Sequence, residues 1–414
     1  MENLLDHILN NWDNTLRDDH HPNIDLPHTA IILPYPYTSP SIDEHFSALY
    51  YWDTYFTNVG LLLSDKLEYA KNNAQNIAFM IEKYGYMPNG NRTVFIGRSQ
   101  PPFFSMMVYD IYDRTKDKVW LKEMYGSIAR EYAFWQTERT TETGLNTYAP
   151  DISALSEERI YQLADSMLRR TSADPPSDKK QVCQYAASIL SLLESGWDCT
   201  SRFGLRPTKY NWVELNALLY AIEDNMAFFA KELCLSQDNL IWSERKELRC
   251  KLINEYLYDE TAGMFCDYDF EFNKKSSIFS VASFYPLFVG LATDEQAKNT
   301  RHNLFRIEQE YGISASEPIK ETMDLQWDYP HGWACLNYIV VNSLLRYGYD
   351  DDAYRIAKKY VNLLERNFDS TGGIWEKYDV VTGEPSISKE NATKHTMMGW
   401  TAGVYVYFKK ALKI

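Results

Sequence analysis

The sequence predicts an all-α fold of about a dozen helices, and two observations carry that expectation. First, apolar residues recur at helical spacing. Val182, Tyr185, Ala186, Ile189, Leu190 and Leu193 share one face, as do Leu215, Leu218, Leu219, Ile222, Met226 and Phe229. Similar stripes run near 54–64, 68–83, 103–113, 119–136, 158–170, 243–257, 278–291, 334–346, 351–366 and 396–411. Second, strand-like alternation is scarce, with Met264 to Phe272 the best place for a short hairpin.

Corners such as Pro88-Asn89-Gly90 and Thr371-Gly372-Gly373 separate the stripes. No long linker or composition break appears, so residues 1–414 read as a single domain, with 173–180 a surface loop. Helices joined by short corners build either a closed double ring of helical hairpins, an (α/α)6 toroid, or an open α-solenoid. The absence of a repeat of fixed period weighs against the solenoid.

Composition narrows the function classes. The formal net charge of −15 repels phosphate backbones and anionic lipid, so neither nucleic acid nor membrane is an expected partner. No run approaches the roughly 18 apolar residues of a membrane span, and Met1 to His7 carries no basic, apolar leader. The six cysteines (Cys183, Cys199, Cys234, Cys250, Cys266, Cys335) are scattered without a C-x-x-C, which reads as reduced thiols in the cytoplasm. No metal or other cofactor is expected.

One pattern carries chemistry. Five of the 11 Trp residues are followed directly by a carboxylate: Trp12-Asp13, Trp52-Asp53, Trp197-Asp198, Trp327-Asp328 and Trp375-Glu376. With 57 acids among 414 residues, chance gives about 1.5 such pairs. Any single pair reads as well as a helix N-terminal acid beside a core aromatic. The last four together, each near Gly, Pro or clustered Tyr, suit a carbohydrate site. Sugar rings stack their C–H faces on Trp and Tyr, their hydroxyls need Asp, Glu, Asn, Gln and Arg, and glycosidic hydrolysis needs two carboxyls.

Five segments in order then resemble the α,α-trehalases, inverting glycoside hydrolases built on an (α/α)6 barrel. They are Phe46 with Tyr50-Tyr51-Trp52-Asp53-Thr54-Tyr55-Phe56; Pro88-Asn89-Gly90-Asn91-Arg92 with Arg98-Ser99-Gln100-Pro101-Pro102; Glu194-Ser195-Gly196-Trp197-Asp198 with Ser201-Arg202; Gln326-Trp327-Asp328-Tyr329-Pro330 with Gly332-Trp333; and Glu376-Lys377-Tyr378-Asp379 with Gly399-Trp400-Thr401. The resemblance implies Asp198 as general acid and Glu376 as general base. It implies sugar contacts from Phe46, Tyr50, Trp52, Asp53, Asn89, Arg98, Gln100, Gly196, Gln326, Trp327, Asp328, Trp333 and Trp400. The implied reaction is hydrolysis of trehalose, or of another small α-glycoside, with inversion. That outcome requires the carboxyls about 6.5–9.5 Å apart, room for one water.

Three places depart from the family pattern. His45 stands where trehalases have an arginine. Ala154-Leu155-Ser156-Glu157-Glu158-Arg159 replaces an Arg-Pro-Glu-Ser run, with Arg159 to compensate, Glu157 or Glu158 as substitute acid, and Glu157 as the sugar contact. Glu384 to Lys394 replaces a glycine-run loop, with Glu390 as its stand-in. The competing readings are a hydrolase of another gluco-disaccharide or of a glucosylglycerate-like compound, a sugar-binding relative without catalysis, and a helical scaffold. Ser99 beside Arg98 lacks the G-x-S-x-G context of a nucleophile, and Asn391-Ala392-Thr393 is a glycosylation sequon by pattern alone.

Overall fold

The structure, a computed structural model, describes residues 2–22, 26–42, 46–171, 173–319, 325–388 and 395–414. His45, Glu390, Lys394 and the sequon at 391–393 lie outside the described residues. The helices in chain order are α1 (Leu4–Asn11), α2 (Tyr51–Leu62), α3 (Leu67–Tyr84), α4 (Phe104–Thr115), α5 (Lys118–Glu138), α6 (Glu157–Arg170), α7 (Lys179–Glu194), α8 (Val213–Glu232), α9 (Ser236–Leu257), α10 (Tyr285–Phe288), α11 (Asp294–His302), α12 (Ala334–Arg346), α13 (Asp350–Thr371) and α14 (Trp400–Lys410).

The contacts among them close a ring. α2 packs on α4, α4 on α8, α8 on α10, α10 on α12, α12 on α14, and α14 returns to α2. Outside it, α3 packs on α2, α5 on α4, α9 on α8, α13 on α12 and α1 on α14, while α6 and α7 pack on each other. This is the (α/α)6 toroid, and the return of α14 to α2 excludes an open solenoid. The two shells differ as their surroundings require. Every residue of α2 is buried, whereas α9 buries Trp242, Arg249, Ile253 and Leu257 and turns the rest toward solvent. A helix enclosed on all sides has no use for a polar stripe.

Ring closure depends on two glycines. A Cβ on Gly60 would stand 2.5 Å from Gly403 Cα, and one on Gly403 would stand 2.1 Å from Phe56 O. The backbones of α2 and α14 therefore touch, and neither position has room for a methyl group. Gly403→Ala is expected to cost about 1–3 kcal/mol, the usual range for overpacking, read from the denaturant midpoint. Wild-type stability in that variant would mean that the two helices do not meet so closely.

Two expectations of local structure are corrected. The stripe at 278–291 is not one helix: a single turn of 3-10 helix, Val281–Phe284, leads into one turn of α-helix, Tyr285–Phe288. Pro286 sits at its start, the position where proline is tolerated, and Gly290 at φ 76° follows its end. The segment 264–272 does not pair with itself. Met264–Phe265 pairs with Tyr258–Asp259, and Tyr268–Asp269 pairs with Tyr210–Asn211 and Lys274–Lys275. Two-residue strands take their partners from whatever the helices bring alongside.

Candidate active site

Inner helices that all run the same way put their N-termini at one end of the ring, and four of the five Trp–acid corners lie there; Trp12-Asp13 instead packs at the far end of α2, hydrogen-bonded to Ser64, Lys66 and Tyr69. Trp52 and Asp53 open α2, Trp333 caps α12 and Trp400 begins α14. Together they line a cavity of about 250 Å3. Asp198 and Glu376 both face it, with Phe46, Tyr50, Asn89, Arg98, Gln100, Gly196, Gln326 and Trp327. A larger cavity, about 650 Å3, lies toward the other end of the ring. Chemistry, not volume, decides between them, because only the smaller one gathers the carboxyl pair with the tryptophans.

Asp198 reaches the cavity through a turn that only glycine permits. Gly196 has φ +72°, and a Cβ there would lie 2.8 Å from Trp52 Cε2. The turn is tied to the wall beside it by Glu194, whose side chain is wholly buried. Arg139 donates to it from Nε at 2.9 Å and from Nη2 at 3.0 Å, and the Ser99 amide donates at 3.0 Å. One carboxylate thus registers the Arg98–Gln100 segment against the end of α7. Gln100 Oε1 in turn accepts from the Trp52 amide at 3.3 Å, and Asn89 O accepts from the Tyr51 amide at 3.0 Å.

Glu376 is held from the opposite side of the chain. His331–Trp333 and Lys377–Asp379 form an antiparallel pair, and the Glu376 amide donates to His395 O at 2.8 Å. The Lys377 ammonium lies 3.5 Å from Glu376 Oε2 and 3.4 Å from Gln326 Oε1, 5.3 Å from the Trp333 ring centre. Trp327 and Trp333 stack at 3.9 Å, with Trp400 nearly perpendicular to Trp333 at 5.6 Å and Trp52 tilted against Trp327 at 5.5 Å. Such rings offer both faces and edges to a sugar.

Burial pushes the Asp198 carboxyl up to about 6; the Arg170 and Arg98 charges pull it down and Glu376 pushes it up. Burial also pushes Asp53 up to about 8, with Glu376 and Asp198 adding to the rise. Near neutral pH, Asp53 therefore carries a proton and can donate to a sugar hydroxyl as well as accept. An acid at 198 works only while protonated, so kcat/KM is expected to fall as pH rises through about 6, approaching tenfold per unit. A rate unchanged from pH 6 to 8 would exclude Asp198 as the proton donor.

Two expected contacts lie elsewhere. Asp328 is wholly buried but off the cavity, accepting from Thr200 Oγ1 at 2.8 Å and from the Ser201 amide at 3.0 Å. It anchors the turn after Asp198, since a buried carboxylate needs donors and the nearest are these. Glu157 is exposed and paired with Lys179 at 2.8 Å. It sits at the N-terminus of α6, whose 14 residues span about 21 Å. Only the far end of that helix reaches the cavity, and Arg170 there supplies the cation sought at Arg159, which is exposed. Phe95, Leu193 and Met397 also line the cavity, beyond the residues expected there. No local signal marks them; only the packing of distant segments brings them in. Among the described residues no three His, Cys, Asp or Glu stand together as metal ligands would.

A family model described as Trehalase matches residues 1–413. The chain belongs to the trehalase family. The periplasmic trehalase of Xanthomonas axonopodis pv. citri (strain 306) is 30% identical, covering 97% of this chain and 72% of its own length. The periplasmic trehalase of Pseudomonas aeruginosa is 29% identical, over 97% and 75%. Among solved structures, neutral trehalase Nth1 from Saccharomyces cerevisiae superposes with a TM-score of 0.77 at 28% identity, over 91% of this chain and 73% of that one. The GH63 mannosylglycerate hydrolase from Thermus thermophilus, in complex with glucose, shares the fold alone: TM-score 0.68, 17% identity, 98% and 100% covered. This trehalase-family chain is thus a glycosidase. Among its described residues no helix is long and apolar enough to cross a membrane.

Proposed function

We propose that this chain is one catalytic domain that hydrolyses trehalose to two glucose molecules with inversion. The observation that carries the reading is that Asp198 and Glu376, remote in sequence, line a single aromatic-walled cavity. In this reading Asp198 gives its proton to the glycosidic oxygen as the bond to the anomeric carbon breaks. Glu376 takes a proton from the water that attacks that carbon from the other face. Lys377, 3.5 Å away, supplies the counter-charge for the Glu376 carboxylate. Asp53, Gln100, Asn89 and Arg98 grip hydroxyls, and the tryptophans take the ring faces.

Arg98 and Arg170 both act on Asp198, and Lys377 lies beside Glu376, so each of the two carboxyls has a cation beside it. Among the described residues no disulfide joins the cysteines, which supports a reducing compartment, the cytoplasm, although the bacterial relatives are named periplasmic. Fractionation that found the chain in the periplasm would overturn this placement.

The test is hydrolysis of trehalose, kojibiose, sucrose, maltose and glucosylglycerate by the purified protein, with product anomers followed by NMR. Trehalose is expected to be the best substrate, with β-glucose appearing first from the attacked ring. Preference for another glycoside would overturn the substrate, and α-glucose from the attacked ring would overturn inversion.

A further inference from the structure

The larger cavity, about 650 Å3, lies inside the ring toward the C-terminal ends of the inner helices, and the proposed reaction makes no use of it. Its walls offer the residue types that a sugar needs. Tyr55, Tyr338 and Tyr407 present ring surface, Asp110 presents an acceptor and Arg346 a fork of donors, while the Asn342 amide is engaged by Tyr407 Oη and Tyr338 O. Tyr338 packs edge-on against Tyr407 at 4.9 Å and against Tyr55 at 6.2 Å. Asp110 acts electrostatically on the hydroxyls of all three tyrosines, so its carboxyl faces the same space. Among the described residues no hydrogen bond satisfies that carboxyl, and no carboxylate pairs with Arg346. Asp110 is half-buried within the cavity and Arg346 stands exposed at its rim, so both are open to a ligand that enters from solvent.

The two cavities share walls but not space. Trp52 and Tyr55 stand one turn apart on α2, Trp333 and Tyr338 flank the start of α12, and Trp400 and Tyr407 lie on α14. Between them Phe56 and Phe103, both wholly buried, pack at 5.2 Å, with Tyr55 stacked on Phe103 at 4.7 Å. Three inner helices therefore carry one sugar-type surface at each end. We propose that the larger cavity is a second binding site for a neutral mono- or disaccharide, held by Asp110 and Arg346 against the tyrosine wall.

The proposal stands apart from the identity of the bond that is hydrolysed, because its test reads binding alone. Equilibrium dialysis of radiolabelled glucose against the full chain measures equivalents bound. Arg346→Ala is expected to remove one equivalent, or weaken it at least tenfold, while leaving the melting temperature and turnover as in wild type. Asp110→Ala is expected to do the same, and the two variants guard against a fold defect in either one. Asp198→Asn is expected to retain that equivalent. Glucose binding unchanged in both cavity variants, or no bound glucose at all, would overturn the second site whatever the active site is found to cleave.

Discussion

Asp198→Asn and Glu376→Gln are each expected to lower kcat on trehalose by about 10²–10⁴-fold, with the fold and sugar affinity largely kept. Each change preserves side-chain volume and removes one protonic function. Asparagine has no acidic proton to pass to the leaving oxygen, and glutamine cannot take one from water. Both sites face one cavity and serve one transition state, so the losses should not multiply; the double variant is expected to resemble the slower single one. Removing the Asp198 charge also relieves the cost of burying a carboxyl that titrates at about 6, so that variant should be no less stable than wild type above neutrality. Steady-state kinetics with a melting curve checks this. Near-wild-type turnover in either variant would end its assigned role.

Arg139→Ala is expected to destabilise the protein by about 3–5 kcal/mol, the range for breaking a buried ion pair from one side. Glu194 has no water to fall back on, and its two oxygens hold both the guanidinium and the Ser99 amide. Without Arg139 it must either be buried as a bare charge or take a proton. Activity should fall as well, because Arg98 and Gln100 flank Ser99 and line the cavity. The double variant Arg139→Met/Glu194→Met, which leaves no unpaired charge, should recover most of the stability without recovering kcat/KM. Denaturant midpoints for the three proteins separate the effects; a cost below about 1 kcal/mol for Arg139→Ala would show the pair to be solvated.

The stripes at 182–193 and 215–229 became α7 and α8 nearly residue for residue, because a helix bonds to itself and its buried face is written in its own period. The Trp–acid corners were legible for a related reason, since sugar chemistry needs those side chains in any fold. Asp53 and Asp328 show where that reading stops. Both follow a tryptophan and both are buried, yet one faces the cavity and the other spends its oxygens on Thr200 and Ser201. Nothing adjacent in the chain distinguishes them.

The order of residues was enough, then, to specify the helical class and the family pattern, and to single out two carboxyls that line one cavity. Packing in three dimensions was needed to return α14 to α2 through Gly60 and Gly403, to bring Arg170 rather than Arg159 to the cavity, and to point Glu157 at solvent. The difference is one of range. Periodicity and motif chemistry act over a few residues, whereas the direction in which a helix end points is set by what packs against it from a hundred residues away.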